Sequence, residues 1–321
     1  MAVVLSTHRL HACADELLRD HCELRIASGL DEATLTREAA DAHVIIVRAP
    51  IPEAAITAAT RLKALIRHGA GLDMIPLAHA TKRGMLVANV PGANARSVAE
   101  HVLMTSLMLG RGHRASDMTL RRGGWAEARA AAEKGRQLPG SIGLVGYGSV
   151  GQAIAEIFGS LGLRVRAYSP TGRAPEPIRA RLEEVIGECD IVVLCCPLNA
   201  QTQGMMNASR IETMRRDAIL VNVSRGGLVD DDALLRALLE GRIAGAVLDV
   251  FNQQPLPSYH PYYGMANVVL TPHVAGLSEE SMQAMSLGAA REALRVLNDE
   301  LPINLVNREA VPEYRRRQPC L

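Results

Sequence analysis

Short runs of Val, Ile and Leu recur along this chain with helix-patterned Ala/Leu/Glu segments between them. That alternation limits its fold more than any other feature. Apolar runs lie at 2–5 (AVVL), 43–47 (HVIIV), 64–67 (ALIR) and 86–90 (LVANV). A strand that is apolar throughout buries both faces, and helical crossovers between such strands make them parallel. A long helical stretch follows at 95–112, closed by Gly110 and Gly112, and 113–140 reads as a helix and a loop. A second series then runs through 142–146, 163–168, 190–195, 218–223, 245–250 and 268–271, six strands in all. A helix at 280–298 leads to an Arg-rich end, RRRQPCL, expected to be solvated.

The second series opens with IGLVGYGSVG, in which Gly146-x-Gly148-x-x-Gly151 follows an apolar strand and begins a helix. In that context glycines serve three ends: a tight turn, close approach of a pyrophosphate, and helix–sheet packing. The N–H groups and positive dipole end of the helix then face the phosphates, which adds Ser149 and Val150 to the candidate phosphate loop. Dinucleotide enzymes that use NAD carry an acid about 20 residues past the glycines, on the ribose 2′-hydroxyl. Here Ser169 stands there, no acid occurs before Glu176, and Arg173 lies four residues on. A hydroxyl with a guanidinium suits a 2′-phosphate, so NADP(H) is the expected cofactor and NAD(H) the alternative.

At 321 residues the chain has room for two domains. The expected fold class is α/β, with two Rossmann/flavodoxin-like doubly wound parallel-sheet domains. Residues 96–285 form the dinucleotide domain, inserted into a second domain made of 1–95 plus 286–321. A net charge of +1 gives no field for nucleic acid or a membrane surface, and nine aromatic residues disfavour a base-stacking platform. Only three Lys occur, Lys63, Lys82 and Lys134, and the residues four before them are all Ala. The Tyr-x-x-x-Lys of short-chain dehydrogenases is therefore excluded. Six Cys without a CxxC pair organise neither zinc nor disulfides. With no signal-peptide core and no membrane-length apolar run, the expected location is the cytoplasm.

Several motifs follow one another along the chain: RHGAGLDMI (67–75), NVPGANARSVAEH (89–101), the glycine loop, CCPLNAQT (195–202), NVSRGGLVD (222–230), LDVF (248–251) and TPHVAG (271–276). In this order, over about residues 43–305, they resemble the D-isomer-specific 2-hydroxyacid dehydrogenases. The resemblance implies that residues 1–95 plus 286–321 form the substrate domain. It implies that Arg225 holds the substrate carboxylate and that His273 is the proton donor in reduction and the acceptor in oxidation. The loop Gly69-Ala70-Gly71 would offer backbone N–H groups to the acid, and Arg48 a contact to its distal group or a structural role. His68 is expected to be a packed histidine. Cys196, Pro197, Leu198, Thr202, Val223, Ser224, His273 and Gly276 would line the cofactor, with Asp249 on the carboxamide. Cys195 and Cys196 read as packing residues, not nucleophiles.

One position departs from the family. Where a Glu usually pairs with the catalytic His, this chain has Gln254. An amide orients the ring without adding charge, so His273 is expected to titrate lower than beside a Glu. The implied reaction is NADPH-linked reduction of a small glyoxylate- or hydroxypyruvate-like 2-oxo acid to the D-2-hydroxy acid. The alternatives are an NAD-dependent, phosphoglycerate-dehydrogenase-like enzyme and a nucleotide-sensing protein without turnover. A homodimer with helix 95–112 in its contact is also implied.

Overall fold

Strands that bury both faces must send alternate side chains into two separate cores, and this chain does so twice. The structure, a computed structural model, describes residues 1–317. Cys320 and the last four residues of RRRQPCL lie outside the described residues.

The chain divides into two compact units, one of Met1–Asn94 with the segment from Ser278 onward, the other of Ala95–Leu277. The first unit alternates β1 (Ala2–Ser6), α1 (Ala12–Leu18), β2 (Cys22–Ile26), α2 (Glu32–Ala39), β3 (Val44–Val47), α3 (Glu53–Ala58), β4 (Ala64–Arg67), α4 (Leu77–Lys82) and β5 (Leu86–Ala88). Its sheet is parallel in the order β2-β1-β3-β4-β5, the flavodoxin-like arrangement. Val3, Leu5, Ile45, Val47 and Leu65 point into one core, and Val4, Val44, Ile46, Ala64 and Ile66 into the other.

β2 has no counterpart among the expected strands. It is an edge strand reading CELRI, with Glu23 exposed and Arg25 half-buried, so no apolar run marks it.

The second unit opens with α5 (Ala95–Gly110), α6 (His113–Arg121) and α7 (Trp125–Ala132). Residues 113–140, expected as one helix and a loop, thus hold two helices, broken at Gly123 and Gly124; Gly123 has φ +87°. There follow β6 (Ser141–Val145), α8 (Ser149–Ser160), β7 (Arg164–Tyr168), α9 (Leu182–Glu188), β8 (Ile191–Leu194), α10 (Ala208–Thr213), β9 (Ile219–Asn222), α11 (Asp231–Leu239), β10 (Gly245–Leu248) and β11 (Val268–Leu270). All six expected strands are present, parallel, in the order β11-β10-β9-β8-β6-β7. A single parallel bridge, Ala167 to Arg179, continues the sheet past β7. Counted as a rudimentary strand, it gives the order of a dinucleotide-binding sheet. Val192 and Leu194 face one core, Ile191 and Val193 the other.

The chain returns to the first unit through α12 (Glu279–Leu297) and α13 (Val311–Arg317). The return falls at Ser278 rather than near 286, because α12 is one continuous helix. Ser278 caps it, and Ala289, Ala290 and Ala293 are buried in a core of the first unit. The Arg-rich end is only partly solvated as expected. Arg317 is half-buried, and its guanidinium donates to the carbonyl oxygens of Arg83 (3.1 Å) and Leu62 (3.3 Å). Among the described residues no helix is long and apolar enough to cross a membrane.

Candidate active site

In a doubly wound sheet the carboxyl ends of the strands carry the chemistry. The glycine loop sits at the end of β6. A Cβ on Gly146 would lie 2.8 Å from the Cys195 carbonyl, and one on Gly151 would lie 2.5 Å from Gly146 O. Those two glycines are required by packing within the protein. Gly148 is different: at the N-cap of α8, with ordinary φ −82°, its Cβ would meet nothing within 4 Å. That open cradle, in front of the N–H groups of Ser149 and Val150, fits a bound diphosphate. Cys195 donates its thiol hydrogen to Gly146 O (3.2 Å), fastening the loop to the end of β8. Burial pushes the Cys195 thiol up, and that of Cys196 to about 11, so neither is ionised near neutrality.

β7 ends at Tyr168, and Ser169 follows it directly, its hydroxyl 3.1 Å from that of Thr171. Arg173 lies exposed in the same loop. Arg179 steadies the loop by donating to the carbonyls of Ala174 and Gly172.

At the end of β9, Asn222 is buried and builds the turn that carries Arg225. Its Nδ2 donates to Arg225 O (2.9 Å) and its Oδ1 accepts from Ser224 N (3.1 Å). Ser224 Oγ donates to Cys196 O, joining this turn to the end of β8. Thr202 donates its hydroxyl to Pro197 O (2.7 Å), so it braces the loop that holds Pro197 and the exposed Leu198. Gly226 admits no side chain, since a Cβ there would meet Phe251 and Asn252 backbone atoms at 2.1–2.3 Å. Val223, Arg225 and Gly276 are half-buried.

His273 follows β11 in the left-handed region, at φ +57°, which is unusual for a non-glycine residue. Its backbone N–H donates to Asp249 O (2.8 Å). The buried Asp249 carboxylate accepts from Val274 N (2.8 Å), Ala275 N (2.9 Å) and Thr271 Oγ1 (2.6 Å). It was expected to face a carboxamide. Its observed partners are instead the donors of the turn that carries His273. The exposed His273 ring lies with Nδ1 3.0 Å from Gln254 Oε1. Gln254 Nε2 donates to Phe251 O (3.3 Å), which turns the amide oxygen toward the ring. An amide oxygen only accepts, so Nδ1 carries a hydrogen and Nε2 is the position that gains and loses a proton. His273 and Gln254 also border a cavity of about 550 Å³ lined by Phe251, Leu256, Tyr263 and Leu270.

In the first unit, the loop after β4 has its carbonyls held from within. Val90 N donates to Gly69 O, Asn89 Nδ2 to Ala70 O, and Arg67 Nε to Gly71 O. The Gly69 N–H is also used, donating to Arg67 O (3.0 Å). Of the three N–H groups expected to be presented, Gly69's is therefore engaged by the loop itself. The Arg48 guanidinium donates to Arg9 O and lies 4.0 Å from the sulfur of Met282. His68 is packed as expected, 3 % exposed, with Nε2 2.8 Å from Ser286 Oγ. Thr271, Asn222 and the buried His101 were missed by sequence reasoning. Each is an ordinary residue within a motif, and only its tertiary neighbours distinguish it.

Residues 103–275 match the NAD-binding domain of D-isomer specific 2-hydroxyacid dehydrogenases. The chain is 34 % identical over 327 residues to glyoxylate reductase of Thermococcus onnurineus, covering 96 % of each chain. It is 34 % identical over 322 residues to D-3-phosphoglycerate dehydrogenase of Methanocaldococcus jannaschii, covering 98 % of this chain but 61 % of that protein's length. Among solved structures it is similar to the NADPH-dependent glyoxylate/hydroxypyruvate reductase of Sinorhizobium meliloti in complex with citrate. The TM-score is 0.85 at 26 % identity, over 97 % of this chain and 99 % of that one. The family match over more than half the chain, together with 34 % identity to a glyoxylate reductase over 96 % of each chain, decides the assignment: the chain belongs to the D-isomer specific 2-hydroxyacid dehydrogenase family.

Proposed function

We propose that this protein reduces a small 2-oxo acid of the glyoxylate or hydroxypyruvate kind to the D-2-hydroxy acid, with NADPH as the preferred cofactor. The observation that carries this reading is the edge formed by β9, β10 and β11. There Arg225 and His273 follow two strands of one sheet, and Gln254 orients the ring so that Nε2 is its titrating atom. Arg225 pairs with the substrate carboxylate through its forked N–H groups. His273 gives its Nε2 proton to the carbonyl oxygen in reduction and takes it back in oxidation. Bound NADPH supplies the hydride. Gly146, Gly148, Ser149, Val150 and Gly151 would hold its diphosphate, with Cys196, Pro197, Thr202, Val223, Ser224 and Gly276 along its length. Ser169 and Arg173 after the end of β7, with no acid before Glu176, support the 2′-phosphate preference.

The names of the relatives, glyoxylate reductase and NADPH-dependent glyoxylate/hydroxypyruvate reductase, support the substrate class and the cofactor. Met104, Leu107, Met118, Leu120 and Trp125 are exposed on α5, α6 and α7, which supports a homodimer through these helices. The test is turnover of a panel of 2-oxo acids with NADPH and NADH, with the mass in solution measured alongside. The expected result is a preference for NADPH of about tenfold or more in kcat/KM, of order the interaction of one guanidinium with a phosphate. A preference for NADH overturns the cofactor assignment. Tight NADPH binding without turnover of any acid overturns the enzymatic reading in favour of nucleotide sensing.

A further inference from the structure

We propose that His101, on α5, is a positioning residue for His273, acting through the hydroxyl of Thr271 and the carboxylate of Asp249; the proposal rests on the reading of His273 as the proton-transfer group. His101 Nε2 lies 3.2 Å from Thr271 Oγ1, and Thr271 Oγ1 lies 2.6 Å from Asp249 Oδ1. A carboxylate is an acceptor only, so the single hydroxyl hydrogen of Thr271 goes to Asp249. The contact with His101 must then run the other way: Nε2–H donates to the hydroxyl oxygen. Burial holds His101 below the usual histidine range, which favours the neutral ring, and the Thr271 contact places its hydrogen on Nε2.

The donors therefore point in one direction, from His101 to Thr271 to Asp249, and bonds aligned in this way polarise and strengthen one another. The carboxylate they reach is 1 % exposed. It also accepts from Val274 N and Ala275 N, the two amides just past His273. The backbone O of Asp249 accepts from His273 N itself. A non-glycine residue at φ +57° persists only where its surroundings over-determine it. Here the surroundings are one buried carboxylate, held in turn by one hydroxyl and one buried imidazole. α5 thus sets the orientation of the catalytic histidine from 172 residues earlier in the chain.

The test compares His101→Leu, which removes the donor, with His101→Gln, which keeps an N–H at similar reach. In the full-length protein without substrate, amide exchange at Val274 and Ala275 is expected to rise about tenfold in His101→Leu and to stay near wild type in His101→Gln. With NADPH and the best 2-oxo acid, His101→Leu is expected to lower kcat by about 10- to 100-fold. KM for NADPH should stay within about twofold, since the glycine loop is untouched. In a His273→Asn background the His101→Leu change should lower the rate no further, because its route to the chemistry is already lost. Unchanged amide exchange in His101→Leu overturns the proposal, and so does an equal loss of rate in both backgrounds. If the wild type turns over no 2-oxo acid, the functional reading fails separately, and amide exchange still decides whether His101 holds the turn.

Discussion

His273 Nδ1 and Gln254 Oε1 stand 3.0 Å apart, with the amide held from behind by Phe251 O. The pair orients the imidazole through a neutral amide. A carboxylate in the same place would stabilise the imidazolium. Reduction needs that protonated ring, so Gln254→Glu is expected to carry the alkaline limb of the kcat/KM profile for 2-oxo acid reduction upward by about one pH unit. Profiles of the two proteins measured side by side check this, and superimposable limbs would refute it.

If the proposed NADPH preference is set at the end of β7, a single residue there should reverse it. Ser169→Asp places a carboxylate at the position where NAD enzymes carry theirs, four residues before the exposed Arg173. The variant should lose about tenfold or more in kcat/KM with NADPH and retain or gain activity with NADH. Equal losses with both cofactors would mean that the ribose does not lie at this loop.

Two glycines of one motif should fail in different ways. Gly151→Ala puts a Cβ 2.5 Å from Gly146 O, so the loop or helix must move, and both thermal stability and nucleotide affinity should fall. Gly148→Ala meets nothing within 4 Å at φ −82°, so its Tm should stay within a degree or two while NADPH affinity drops. Thermal unfolding with and without NADPH separates the two, and an undiminished NADPH-induced rise in Tm for Gly148→Ala would contradict the cradle.

His68 predicts an acid weakness in the first unit. Burial, with Arg48 and Arg67 adding repulsion, lowers it to about 3, whereas an unfolded histidine titrates near 6.5. Below pH 6.5 the unfolded chain binds the proton and the folded one does not, so stability is full above that value and falls as the pH drops toward 3. At pH 5 the loss from this one group is about 2 kcal/mol. Urea unfolding of wild type and His68→Asn at pH 7 and pH 5 should show the variant losing less by about that amount. Equal losses would mean that the ring is protonated in place.

Much of the fold was legible because its cause is local. Runs such as VIIV at 44–47 and IVVL at 191–194 are short, rich in β-branched residues and apolar throughout, which suits central strands, and Gly146, Gly148 and Gly151 mark the turn after β6 wherever the rest of the chain lies. The strand β2 was not legible, since an edge strand with Glu23 and Arg25 needs no apolar run. The return to the first unit at Ser278 was not legible either, because a continuous helical pattern does not say which core the helix joins.

The candidate site divides the same way. Residue type and motif alone single out Arg225, His273 and the substitution of Gln254, since carboxylate binding and proton transfer need those chemical groups. Which carboxylate holds the His273 turn was decided by tertiary structure alone. The family resemblance points Asp249 at a ligand, yet its hydrogen bonds reach Thr271, Val274 and Ala275 and, through Thr271, His101. A sequence states which donors and acceptors exist. Their pairing inside a buried region depends on distances and directions between strands and a helix far apart in the chain, and those exist only once the sheet has formed.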